Sequence, residues 1–482
     1  MLYKYLKIII FCASAGVNGL VNDRYYPRYH LAPPKGWMND PNGFALYKGE
    51  YHLFYQYNPD SSLTSGTVHW GHAKSSDLFH WEDLGVAMYP DQPYDKSGVF
   101  SGSAYVEGDT MYFYYTGNVN MPGEDPDHAN TQALATSGDG VSLAKYEKNP
   151  IIEGAEKQPD FRDPKVWKHG DTYYMVLGNS YKNSEGVATG RALLYSSKDK
   201  YNWEEVSVLA ESNGTQGYMW ECPDFFELNG KYVLLFSPQG MAPEGDKYKN
   251  LYQTGYLVGD FDYNTHVYKT DGVFREIDHG HDFYASQTIV NKRGERIVVG
   301  WFDMWETQYP EKADGFTGQM TLPRVLTLTK QGTILQKPVT EISKALGKTS
   351  YSGIAGQNTV VSLQDNIGEI KVIAHANKNF TLYIESEDET RRVVLSYDAK
   401  RGLVTLDRGG DDNIRRTTWK ASPVLVWDIF IDTSSIELFC GRGEVTFSSR
   451  FFPVGQVKVR PGNEQPILMT VNGMKRTMYL PS

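Results

Sequence analysis

A turn glycine followed at once by an apolar, aromatic strand occurs five times along the chain at nearly even spacing, and nothing else in the sequence constrains the fold as strongly. The glycines are Gly49, Gly108, Gly170, Gly230 and Gly294, separated by 59, 62, 60 and 64 residues. The strands that follow run from Tyr51 to Tyr55, Met111 to Tyr114, Tyr173 to Val176, Tyr232 to Phe236 and Ile297 to Val299. A second short strand precedes each glycine, from Phe44 to Tyr47, Ser103 to Val106, Lys165 to Trp167, Phe225 to Leu228 and Ser286 to Val290, so every repeat opens as a hairpin. Further short β-type runs fill each repeat, and no long segment has helical period. About four antiparallel strands repeated radially make a propeller blade. The chain is therefore expected to be all-β, with a five-bladed β-propeller over residues 21–337. A single large sandwich is the alternative, and it leaves the even spacing unexplained.

Beyond Pro338 the repeat stops. Residues 338–350 read as a linker with a short helical segment from Thr340 to Leu346 closed by Gly347, and residues 351–482 as a C-terminal β-sandwich built on alternating strands such as Ile370 to Ala374 and Val424 to Asp432. A chain of 482 residues has the length for two such domains, and its 34 Tyr and 10 Trp suit strands. The net charge of −10 argues against nucleic acid, which calls for a basic face, and favours an uncharged substrate.

Residues 1–20 place Lys4 and Lys7 before the apolar run Ile8 to Cys12 and the small residues Ala13 to Gly16, the pattern of a secretory signal peptide. The expected location is extracellular. No later stretch approaches the ~18 apolar residues of a membrane span. Cleavage would remove Cys12 and leave Cys222 and Cys440, both expected to be free. Asn213 and Asn379 head acceptor triplets for N-glycosylation.

The acids that open the first strands carry the chemistry. Blade one offers Asp40-Pro41, blade three Arg162-Asp163-Pro164 and blade four Glu221-Cys222-Pro223-Asp224, with 9, 7 and 9 residues from acid to turn glycine. Blade two has Phe100-Ser101-Gly102 at that position and blade five His281-Asp282-Phe283-Tyr284. Because the first strand of a propeller blade is innermost, the three carboxylates are expected to converge on one axial pocket. Clustered carboxylates repel, so holding them together costs stability unless chemistry requires them. A carboxylate pair is the equipment of glycoside hydrolysis, one acid protonating the leaving oxygen and the other attacking the anomeric carbon or activating water. Arg162 is expected to keep its neighbour Asp163 ionised, which suits that residue to binding hydroxyls and stabilising an oxocarbenium-like transition state. Glu221 is then the better acid/base, and Asp40 the nucleophile. The histidines show no zinc-ligand spacing; His69-Trp70-Gly71-His72 is the nearest approach to a metal site.

The segments Trp37-Met38-Asn39-Asp40-Pro41-Asn42-Gly43, Phe161-Arg162-Asp163-Pro164 and Glu221-Cys222-Pro223 resemble, in order and spacing, the signatures of glycoside hydrolase family 32, the invertases and other β-fructofuranosidases. Phe54 to Pro59, His69 to Ala73, Phe100 to Ser103 and Asp432 to Phe439 resemble further family segments. The resemblance implies a retaining double displacement that releases fructose from terminal non-reducing β-D-fructofuranosides, sucrose first among them. Asp40 would be the nucleophile, Glu221 the acid/base and Asp163 the transition-state stabiliser. Asn39, Gln56, Phe100, Ser101 and Arg162 would hold the fructosyl unit, with Trp70, Tyr284 and Trp305 as further binding candidates and Trp37 offering a face for sugar stacking. No cofactor and no metal are implied; the partner is a small sugar. Two departures stand out: Ser65 where the family often has Trp, and Cys440-Gly441-Arg442-Gly443 in place of the usual sandwich turn. Inulin or levan hydrolysis, fructosyl transfer and a non-catalytic lectin on the same scaffold are the competing readings.

Overall fold

The computed structural model describes residues 21–154, 160–388, 390–410 and 413–480. The signal segment read from residues 1–20 lies outside them. Five sheets follow one another along the chain, each a hairpin extended outward by further antiparallel strands. Blade one is built from Gly36–Tyr47, Glu50–Asn58, His69–Ser75 and Trp81–Met88, and blade two from Gly98–Glu107, Thr110–Asn120, His128–Ser137 and Ala144–Lys145. Blade three comprises Phe161–His169, Thr172–Lys182, Ala188–Ser197 and Glu204–Glu211; blade four comprises Met219–Leu228, Lys231–Gln239, Gly255–Asp262 and Val267–Thr270, with Arg275–Glu276 alongside. Blade five pairs Tyr284–Val290, Arg296–Trp301, Arg324–Leu328 and Ile334–Pro338. The excursion between its second and third strands sends Phe316–Thr317 back to pair in parallel with Gly36 and Trp37, which ties the last blade to the first.

Aromatic and aliphatic side chains fill the spaces between blades, as β-propensity and the pleat require. Trp70, Phe54, Phe113 and Tyr115 pack between blades one and two, and Trp220, Phe225, Phe236 and Leu257 between blades three and four. All five first strands share one irregularity. Two residues face a single residue of the second strand at Asn39-Asp40, Phe100-Ser101, Asp163-Pro164, Cys222-Pro223 and Ala285-Ser286. This β-bulge bends each innermost strand and re-aims its side chains into the funnel.

The segment read as a linker is shorter than expected. A single 3-10 turn, Thr340–Lys344, leads straight into the strand Leu346–Ala355, which pairs with Ile467–Met474 at the edge of a six-stranded sheet. A second six-stranded sheet faces it, and Trp427, Ile429, Leu438, Phe447, Leu395 and Val459 close the core between them.

Buried ion pairs join propeller to sandwich. Arg324 binds Asp278 at 2.9 Å and Glu437, while Arg450 binds Glu311 at 2.7 Å and Asp303. His30 sits between Asp432 and Glu437, 2.8 Å from each. Asp282, read from the sequence as an opening residue of blade five, belongs here. It accepts the Arg450 backbone N–H and the Arg408 guanidinium, both at 2.7 Å, because the bulge of that strand begins only after Tyr284.

Candidate active site

The bulges of blades one to three open onto a cavity of about 620 Å³, lined by Asn39, Asp40, Gln56, Phe100, Ser101, Arg162, Asp163, Glu221 and Trp305 among others. That size accommodates a disaccharide-scale ligand. Asp40 lies deep in it. One of its oxygens accepts from Asn39 Nδ2 at 3.0 Å, the other from Ser101 Oγ at 2.7 Å and from the Cys222 thiol at 3.5 Å. Trp37 Nε1–H fixes the Asn39 amide in turn, at 2.9 Å. Donors on both oxygens hold one carboxylate rotamer.

Asp163 accepts the Cys222 backbone N–H at 2.9 Å, and its own N–H is held by Thr116 Oγ1 at 3.0 Å. Glu221 is gripped from three sides: by the Arg162 guanidinium at 2.8 and 3.1 Å, by Gln239 Nε2 at 2.9 Å and by the Tyr284 hydroxyl. The Cys222 thiol lies between Asp40 and Asp163, 3.5 and 3.7 Å from their oxygens, so two of the acids share one neighbour.

Burial raises the Asp40 carboxyl above its ordinary range and the charge of Glu221 adds to this, against the donors Asn39, Ser101 and Cys222. Burial likewise drives Asp163 up to about 7; Arg162 opposes this, and the charges of Glu221 and Asp40 add to it. The expectation that Arg162 keeps Asp163 ionised is therefore corrected. The guanidinium spends its hydrogen bonds on Glu221 and Asp160, not on its sequence neighbour, since adjacent side chains on a strand diverge. Burial also pushes the Cys222 thiol and the Tyr284 phenol well up, which keeps both protonated as donors.

Three binding candidates stand elsewhere than expected. Trp70 is fully buried behind Phe100, donating Nε1–H to that residue's carbonyl at 3.0 Å, and does not line the cavity. Tyr284 is buried behind Glu221 and acts on substrate only through that carboxylate. Trp37 stacks on Trp305 with ring centroids 6.0 Å apart, and it is Trp305 that forms the wall. Gln56 lines the cavity with its amide anchored on the Val99 carbonyl at 2.8 Å. His72 stacks on Phe54 and bonds His52 at 3.0 Å, a packing role rather than a ligand set with His69. Asn118, Asn120, Asp127, His128 and Asp160 line the cavity unforeseen, and Gln239 supports Glu221 unforeseen. Asp160, the acid two residues before Arg162, was visible as a charge but had no repeat to mark it; lone Asn, Gln and His residues carry no such signal.

Three carboxylates at the mouth of a five-bladed propeller, one fixed by neutral donors and one backed by a guanidinium and a phenol, define a glycoside hydrolase. The model of the glycosyl hydrolases family 32 N-terminal domain matches residues 30–338, and that of the family 32 C-terminal domain matches residues 328–465. The chain belongs to glycoside hydrolase family 32. It is 40% identical over 458 residues to a sucrose-6-phosphate hydrolase of Escherichia coli, covering 92% of each chain. A GH32 β-fructofuranosidase of Bombyx mori, solved also as a mutant in complex with sucrose, is 42% identical with a TM-score of 0.89 over 96% of each chain. The sucrose-6-phosphate hydrolase of Lactobacillus gasseri, at 27% identity and a TM-score of 0.85, covers 95% of this chain and 94% of its own. The protein is thus a glycosidase that hydrolyses fructosides.

Proposed function

We propose that this protein is a secreted β-fructofuranosidase that splits sucrose into glucose and fructose by a retaining double displacement. Asp40 attacks C2 of the fructosyl unit while Glu221 gives its proton to the glycosidic oxygen, and glucose leaves. Water then donates a proton to Glu221 and attacks C2, which releases fructose and restores the Asp40 carboxylate. Asp163 binds fructosyl hydroxyls and favours the oxocarbenium-like transition state; Asn39, Gln56, Phe100, Ser101 and Arg162 hold the same ring, and Trp305 walls it.

The observation that carries this reading is the division of labour between two acids on one cavity. Asp40 is fixed by Asn39 and Ser101 as a nucleophile needs to be; Glu221, held by Arg162, Gln239 and Tyr284, faces the same cavity, and its acid/base role rests on the family signature Glu221-Cys222-Pro223 and not on where Arg162 lies. The basic-then-apolar composition of residues 1–20 supports export, and Asn213 and Asn379, both exposed, suit glycosylation. Sucrose 6-phosphate is the second reading, favoured by the names of the bacterial relatives.

Incubation with sucrose, with the released sugars followed by chromatography, tests the proposal. Equal glucose and fructose are expected; glucose in excess with fructose-containing oligomers would mean transfer. Glu221→Gln should keep sucrose binding while lowering turnover by roughly 10²–10⁴-fold. Undiminished turnover would remove Glu221 from the acid/base role.

A further inference from the structure

The outer wall of the cavity bears a chain of charges that the displacement chemistry leaves unused. Asp127 Oδ1 lies 2.8 Å from His128 Nδ1, and His128 Nε2 lies 3.6 Å from Asp160 Oδ1. Asp160 in turn binds the Arg162 guanidinium, whose other nitrogens fork onto Glu221. Exposure grows from acid to acid along this chain. The Glu221 side chain is 15% exposed, that of Asp160 34% and that of Asp127 77%, whereas Asp40 as a whole is 9% exposed. Asp160, His128 and Asp127, together with Asn118 and Asn120, line the more exposed side of the cavity that holds Asp40 and Glu221, the side open to a leaving sugar.

Among the described residues that line the cavity, Arg162 and His128 are the only side chains able to carry positive charge, against the carboxyl groups of Asp40, Asp127, Asp160, Asp163 and Glu221. Lys312, near the same mouth, donates to the Thr307 carbonyl at 3.1 Å and sits over the Trp37 ring. A phosphate group brings about −1.5 to −2 charges at neutral pH and needs uncommitted guanidinium or ammonium donors. A neutral sugar instead brings hydroxyls that can donate to carboxylates and bond either way with amides.

We infer that Asp127 and Asp160, bridged by His128, make the leaving-sugar side of this pocket select uncharged sugars and reject sugar phosphates. The inference rests on the fructosidase reading above and decides between its two substrates.

The test is kcat/KM for sucrose and for sucrose phosphorylated on C6 of the glucosyl unit, in the wild type, Asp127→Asn and Asp127→Lys. The wild type is expected to favour sucrose by about tenfold or more, because the phosphate meets like charge, with no further cation among the described residues of the cavity wall. The ratio should narrow by about tenfold in Asp127→Lys and by less in Asp127→Asn, and in the wild type it should narrow as salt rises from ~0.02 M to ~0.5 M, since a charge effect is screened and a steric one is not. A wild type that takes the phosphorylated sugar as well as sucrose, or a ratio unmoved by both variants and by salt, would overturn the inference. Failure to release fructose from either sugar would overturn the fructosidase reading itself, and this inference with it.

Discussion

Asp163 carries the clearest trade of stability for chemistry. Its folded pKa of about 7 stands above the ordinary 3.8, so between those values the folded state holds a proton that the unfolded state has lost. Stability therefore falls as pH rises through that window, and the cost is complete above about 7. Asp163→Asn keeps an acceptor for the Cys222 N–H and removes the charge. It should raise stability at pH 8 by roughly 1–3 kcal/mol, with the gain fading to nothing below pH 4, while turnover falls roughly 10²-fold or more. Thermal unfolding across pH, beside assays of the same variant, reads both. A gain that persists at pH 3.5 would assign the effect to something other than this carboxyl. At this scale the sequence revealed the reacting acids and hid their partners. Asp40, Asp163 and Glu221 could be found because signature segments surround them. Arg162 was paired with the wrong acid because adjacency in sequence is not adjacency on a strand; Trp37 read as a face for sugar stacking and Trp70 as a binding residue, although their rings are spent on packing and on hydrogen bonds to Asn39 and Phe100.

The β-bulge is the element that turns five ordinary hairpins into a site. Asp40 occupies the second position of its bulge, Asp163 the first, and Glu221 the residue just before. The three acids are thus not at equivalent positions, as the spacing to each turn glycine suggested, but at three successive steps of one repeated irregularity. That staggering lets each carboxylate meet different donors. Asp163, Cys222 and Ala285 each open their bulges with positive φ, of 67°, 47° and 50°, a local cost of the kind that concentrates at functional sites. The hairpins could be read from the sequence because a glycine turn and an alternating strand leave local marks; the bulges could not, because an extra residue in one strand is defined only against its partner. The blades carry a second repeat. Ser75 and Asp77, Ser137 and Asp139, and Ser197 and Asp199 make the same side-chain turn after the third strand of blades one to three, each Asp also capping backbone N–H groups of the next residues. Three Ser-x-Asp triplets at the blade period would have supported the propeller independently.

The whole molecule depends on an interface that the sequence did not announce, because its pairs join residues as far apart as His30 and Glu437, 407 positions along the chain. Domain order and the all-β class were legible from repeats; a buried ionic seam between the two domains was not, since each of its members alone reads as a surface charge. Burial works against charging the His30 ring, and the hydrogen bonds its two N–H groups donate to Asp432 and Glu437, with the charges of those acids, more than overcome it, lifting its pKa to about 9. The folded value lies above the unfolded one, so this contribution is whole below about pH 6.5 and is lost as pH rises through about 9. His30→Gln should accordingly be less stable than the wild type at pH 6, and the gap should shrink between pH 7 and 9.5; a gap constant across that range would mean the ring is held neutral. What the seam supports is a propeller whose bulges keep Asp40 and Glu221 on one cavity, and the central claim is that this pair works by double displacement. The most direct measurement is hydrolysis of sucrose in dilute methanol, with the anomeric configuration of the methyl fructoside determined by NMR. Two inversions at C2 predict methyl β-D-fructofuranoside; methyl α-D-fructofuranoside would mean a single displacement and would contradict Asp40 as the nucleophile.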